Sequence, residues 1–148
     1  MKKDPNQPNS QPASPEQPAS TVEKKCPFCP PPPDRILIER PLAFVKRDAH
    51  PLTTGHALVI PRRHVACFFD TTAEERQAML ELLDEAKALL DREHRPDAYN
   101  IGINNGTAAG QSVMHVHLHV IPRYLGDTGD PRGGIRMIIP ERAKYWKK

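Results

Sequence analysis

The sequence predicts an α+β domain in which an antiparallel sheet of about five strands is packed by one long helix. Two observations carry this expectation. Short apolar stretches closed by proline or glycine stand before and after a single long segment of helical periodicity, rather than alternating with several helices as a parallel sheet requires. The 148 residues, less a polar tail, suffice for one core and one domain.

Residues 1–23 are Pro, Gln, Ser, Asn and Ala, with Val22 the only sizeable apolar side chain after Met1. Such a segment buries too little surface to offset ordering entropy and is expected to be a disordered tail, leaving 24–148 as the domain. Pro30 to Pro33 form an extended connector. Ile36 to Glu39 and Leu42 to Val45 read as two strands joined at Arg40-Pro41, and His56 to Ile60 as a third, ended by Pro61. From Thr71 to about Arg92 the pattern is helical: Thr71 and Thr72 precede Glu74 and Glu75 by three residues as capping-box pairs, and Met79, Leu83, Ala86 and Leu90 share one face. Pro96 ends the helix. Tyr99 to Asn104 and His115 to Ile121 are two further strands separated by a loop with Gly106 and Gly110, the second closed by Pro122. From about residue 126 the chain has no clear pattern; it adds a strand or reaches the site, and Trp146 lies within it.

The net charge is +3, and 19 basic against 15 acidic residues remain once 1–23 are removed. That balance suits a compact anionic ligand, whereas long nucleic acid calls for a clustered basic stripe with interleaved aromatics. Three cysteines, no apolar leader after Met-Lys-Lys and no run of ~20 apolar residues point to a soluble cytoplasmic protein with no membrane partner.

The chemistry concentrates at His115-Val116-His117-Leu118-His119-Val120. In a strand the three imidazoles share one face and the three apolar residues the other. Alternate residues stand roughly 6.6 Å apart, too far for all three to hold one ion in a straight strand but suited to an extended ligand. Upstream, Asn104, Gly110, Gln111 and Ser112 belong to a loop whose backbone N–H groups and side-chain donors could cradle a phosphate; an ordinary hairpin loop is the competing reading. Cys26-Pro27-Phe28-Cys29 has zinc-binding spacing but on its own is ambiguous between zinc, redox use and chance, with His50, His56, His64, His94 and His115 as candidates to complete four ligands.

These residues resemble the histidine triad (HIT) nucleotide-binding proteins, whose signature alternates three histidines with apolar residues, as His115 to Ile121 do. The likeness runs from Cys26 to about Arg123. It includes the loop from Asn104 to Val113 and Gly55-His56-Ala57-Leu58-Val59-Ile60-Pro61-Arg62-Arg63-His64, with Thr54 where the family usually has proline.

The resemblance implies a HIT-like fold and a bacterial-type nucleotide hydrolase of the diadenosine polyphosphate hydrolase or Hint-like branch. His117 would attack an α-phosphorus to give a nucleotidyl-histidine that water hydrolyses, oriented by a ring N–H donated to the carbonyl of His115. His119 would contact the phosphate, and Ser112 the phosphate or leaving group. Asn104 and the backbone from Gly110 through Gln111 to Ser112 would stabilise the phosphoryl oxygens. Asp48 would hold the ribose hydroxyls, His56 would lie beside the nucleophile, and Ile36 and Phe44 would wall the base. Lys46 and Arg47 break the apolar pattern expected before Asp48. The resemblance also selects Cys26, Cys29, His64 and His115 as a structural zinc site and implies a homodimer acting on purine nucleotides or dinucleotides. Two other functions fit the motif: a zinc-stabilised nucleotide-binding protein with little turnover, and a nucleotidyl transferase. Uridylyl-transferring relatives carry proline and glutamine where Val116 and His119 stand. Cys67 reads as a small buried apolar residue, His94 as a partner of the helix dipole, and Arg123, Arg132 and Arg136 either as contacts for a polyphosphate tail or as ordinary surface residues.

Overall fold

The computed structural model describes residues 25–146; the tail expected over 1–23 lies outside the described residues. Five strands form one antiparallel sheet: β1 (Ile36–Glu39), β2 (Ala43–Arg47), β3 (Ala57–Pro61), β4 (Ala98–Ile103) and β5 (Leu118–Arg123), in spatial order β1-β2-β3-β5-β4. The helix α1 (Ala73–His94) fills the connection from β3 to β4, and β5 returns between them.

The helix begins where the capping box closes. Glu75 N–H donates to the Thr72 hydroxyl at 3.1 Å, and Thr72 N–H donates to the Glu75 carboxylate at 2.8 Å. Arg63 pairs with the same carboxylate at 2.8 Å, tying the helix start to the end of β3. Arg95 then ends the helix in the left-handed region, and Pro96 follows. The face toward the sheet is Met79, Leu82, Ala86 and Leu90; Leu83, placed on that face by the pattern, packs at its margin.

Strand alternation divides the sheet. Ala43 and Val45, Ala57 and Val59, and Leu118 and Val120 point to the helix and form the main core. Phe44, Leu58 and Ile60 point the other way and pack with Phe28 into a second cluster. The opposite face of the sheet therefore carries the loops, the histidines and the N-terminal cysteine segment.

Two expectations need correction. The strand expected from His115 begins only at Leu118, because Val116 N–H is drawn to Val65 O at 2.8 Å and the His115 ring to Pro61 O at 2.7 Å, which bends the chain before it pairs. The segment beyond residue 126 adds no strand; it makes a short 3-10 turn at Gly134–Ile138 and a single helical turn, α2 (Pro140–Ala143). Among the described residues no helix is long and apolar enough to cross a membrane.

Candidate functional site

On the face away from α1 lies a cavity of about 820 Å³, a size suited to a nucleotide-sized ligand. Its wall includes Asp48, His56, Asn104, Ser112, His117 and His119. Residues about sixty apart in sequence meet there because β3 and β5 are neighbours: Leu58 pairs with His119 and Ala57 with Val120.

Hydrogen bonds orient the imidazoles. The carbonyl of His115 lies 2.9 Å from His117 Nδ1, so that nitrogen carries the proton and the unprotonated Nε2 has no partner among the described residues. Leu52 N–H donates to His56 Nδ1 at 3.1 Å, which leaves the proton of a neutral His56 on Nε2. That N–H donates to His119 Nδ1 at 3.0 Å, so His119 in turn presents its own Nε2–H. Asp48 lies 3.6 Å from His56 Nε2 and fixes its other oxygen on the backbone N–H of His50 at 2.7 Å.

Burial disfavours the charged forms of His119 and His56. His119 is pushed down to about 4 by desolvation first, then by the neighbouring His117 and His56. His56 is lowered by desolvation, opposed by Asp48. An imidazole that resists protonation in the fold but accepts a proton near pH 6.5 when unfolded makes the unfolded state bind more protons between those values. Stability is therefore expected to be full above about pH 6.5 and to fall as pH drops toward 4. Asp127 and Asp130, held near 2 by Arg123 and Arg132, act only below that window. Urea midpoints of wild type and His119→Gln between pH 7.5 and 4.5 test this: the variant should lose part of the slope, and parallel profiles would exclude a buried neutral His119.

Beside the cavity, Cys26, Cys29, His64 and His115 bring one ligand atom each to within 4.8 Å of the others. Tetrahedral zinc, with bonds of about 2.3 Å to sulfur and about 2.0 Å to nitrogen, requires sulfur–nitrogen edges of roughly 3.5 Å. The Cys26–His115, Cys29–His115 and Cys29–His64 edges are 3.6, 3.3 and 3.5 Å. His115 donates from Nε2 to Pro61 O, which leaves Nδ1 unprotonated toward the thiols, as a zinc-ligating histidine requires. The residues fit the ion.

Several residues expected at the site stand elsewhere. Phe44 is fully buried under Arg62, and Ile36 sits on the edge strand, so neither lines the cavity. Gly110 and Gln111 spend their N–H groups inside the loop, on Thr107 O and Gly106 O, because the chain makes a 3-10 turn at Thr107–Ala109. The Gln111 amide likewise holds Gly106 N–H, Ala66 O and Val113 O. Arg123 and Arg132 pair with Asp127 and Asp130, and Arg136 bonds the carbonyls of Ala143 and Arg142, so these arginines hold the protein's own groups. Cys67 is only half-buried and accepts from Asn105. His94 buries Nε2 with no hydrogen-bond partner among the described residues.

Phe28 and Lys46 also line the cavity, unforeseen from the sequence, while Ile135, Met137 and Ile138 show that the segment beyond residue 126 reaches the site, one of its two expected courses. Phe28 stands edge-on to both His115 and His117, with ring centroids 5.8 and 5.4 Å away. Only Lys46 had a legible signal, since strand parity puts it on the same face as Asp48.

Comparison with known proteins supplies context for this geometry. A profile of the HIT domain matches residues 31–126. The chain is 35% identical over 95 residues to the bifunctional bis(5'-adenosyl)-triphosphatase/adenylylsulfatase FHIT of Arabidopsis thaliana, covering 64% of this chain and 53% of that protein. It is 31% identical to the AP-4-A phosphorylase of Mycobacterium tuberculosis over 86% of this chain and 62% of that one. A crystal structure of a zinc-bound histidine triad family protein from Mycobacterium smegmatis superposes with a TM-score of 0.59 at 36% identity, covering 63% of this chain and 68% of that one. The chain spans between 22% and 60% of the length of several curated relatives it matches.

Proposed function

This chain belongs to the HIT domain family, and from that premise we propose that it hydrolyses nucleotide phosphates at the α-phosphorus, on dinucleoside polyphosphates or nucleoside phosphoramidates, through a nucleotidyl-His117 intermediate. The observation that carries the proposal is the 2.9 Å contact of His117 Nδ1 with the carbonyl of His115, which leaves the Nε2 lone pair free at the cavity.

In this reading Nε2 attacks the α-phosphorus, a P–N bond forms, and the bond from phosphorus to the leaving group breaks. His119 Nε2–H, set by the contact with His56, donates a hydrogen bond to a phosphoryl oxygen, and the departing group leaves with the electron pair of the broken bond, taking any proton it needs from solvent in the cavity. Water then attacks the same phosphorus, the P–N bond returns its electrons to Nε2, and the proton lost by the water passes to solvent. Asn104 and Ser112 face the phosphoryl oxygens, and Asp48 accepts from the ribose hydroxyls. Cys26, Cys29, His64 and His115 would hold zinc, which when bound supplies a structural cross-link. The same reading makes the chain a cytoplasmic homodimer. Its cysteines are free, and among the described residues β4 has a strand partner, β5, on one side only, where a second copy could add a strand on the other.

The similarity to an AP-4-A phosphorylase favours a second acceptor, inorganic phosphate in place of water. One experiment separates the outcomes. Diadenosine tetraphosphate, diadenosine triphosphate and adenosine 5′-phosphoramidate are incubated with the protein, with and without phosphate. AMP release is expected from at least one; ADP appearing only with phosphate would identify phosphorolysis. Absence of both from all three would leave a binding protein.

A further inference from the structure

Parity along β2 places Phe44, Lys46 and Asp48 on the cavity side of the sheet, and Lys46 is the one cation among them. It is 4% exposed, an uncommon position for lysine. Register runs from it straight to the histidines: Lys46 pairs with Leu58, and Leu58 with His119. Two strand spacings set the Lys46 backbone ~10 Å from that of His119. The ammonium lies 5.0 Å from the centre of the Phe28 ring, whose edge-on neighbour is His117.

Among the described residues Lys46 makes no ion pair or hydrogen bond. Asp48 and Asp34 are near enough to favour its charge and Arg35 opposes it, but desolvation dominates and lowers its pKa. The face of the Phe28 ring stabilises the charge as a cation–π contact but accepts none of its three N–H groups. The three N–H groups therefore look to the occupant of the cavity. With the α-phosphorus at His117 and the ribose at Asp48, the part of a nucleotide that reaches this end of the row is the base.

We propose that Lys46 selects the nucleobase by donating to adjacent acceptor atoms on its edge, O6 and N7 of guanine, so that guanosine phosphates are used in preference to adenosine phosphates. Adenine puts an amino donor where guanine has O6, so it offers the ammonium N7 alone and sets donor against donor at the neighbouring position. The inference rests on the hydrolase reading above for the placement of the phosphate.

The test measures kcat/KM for guanosine, inosine and adenosine 5′-phosphoramidates with wild type, Lys46→Met and Lys46→Gln. Wild type should favour guanosine over adenosine by about tenfold or more, the scale of one good base contact. Inosine, which keeps O6 and N7 and lacks the 2-amino group, should follow guanosine. Lys46→Met should bring the guanosine-to-adenosine ratio close to one, and Lys46→Gln, whose amide can pair with adenine N6 and N7, to one or below. A wild-type ratio of one or below, inosine behaving as adenosine, or an unchanged ratio in folded Lys46 variants would overturn the proposal. If no substrate turns over, the hydrolase reading fails first, and calorimetric binding of GMP, IMP and AMP to wild type then decides the selection by the same ratios.

Discussion

His117→Asn should reduce turnover of a susceptible nucleoside phosphoramidate or dinucleoside polyphosphate by about 10³-fold or more, with the protein still folded. Asparagine is the informative replacement because its amide nitrogen falls near the position of Nδ1 and can donate to the same His115 carbonyl that holds the imidazole at 2.9 Å. What it lacks is any nitrogen where Nε2 stands. The loss of the distal half of the ring removes part of the edge-on packing against Phe28, so a lower melting temperature by a few degrees is expected and the circular dichroism spectrum should be retained. A folded variant that keeps a tenth of wild-type turnover would place the nucleophile elsewhere.

With zinc held by Cys26, Cys29, His64 and His115 as proposed, Cys26→Ser should lower the metal content toward zero and the melting temperature by roughly 10 °C or more, since each kcal/mol moves the midpoint of a domain near this size by about 4 °C. The effect is large because the ligands join segments far apart in sequence: the N-terminal cysteines, His64 after β3, and His115 before β5. From the sequence alone the expectation is that stability suffers far more than turnover at low temperature. The structure sharpens it. Phe28 sits between the two cysteines and packs against His117, so turnover well below the melting midpoint should also fall, though by less than about tenfold. Unchanged zinc content, or a melting temperature within a degree or two of wild type, would rule out these four residues as a structural site.

Much of the fold was legible because its signals are local. Thr72 and Glu75 announce the helix start by spacing, Pro96 announces its end, and strand alternation in Ala43 to Arg47 and Ala57 to Pro61 assigns faces without any tertiary information. The bend at His115 was not legible, because it results from bonds to Val65 and Pro61, some fifty residues away. For the same reason Gln111 reads in sequence as a free donor, although the folded loop spends its amide on three backbone partners. Phe44 shows a subtler limit. Parity puts it on the correct side of the sheet, but parity cannot tell how far along the strand the cavity extends, and Phe44 lies beyond it. For the segment carrying Ile135, Met137 and Ile138 the sequence left two courses open, a further strand or a reach to the site, since it has neither helical nor strand periodicity to choose between them.

The two-faced sheet has a consequence for how such a protein diversifies. In β2, β3 and β5, neighbouring residues answer to different demands: Val45, Val59 and Leu118 must fit α1, whereas Lys46, Leu58 and His119 must fit whatever enters the cavity. A residue such as Lys46 can therefore be exchanged to suit a different ligand without the packing of Val45 and Val59 against α1 having to change in step.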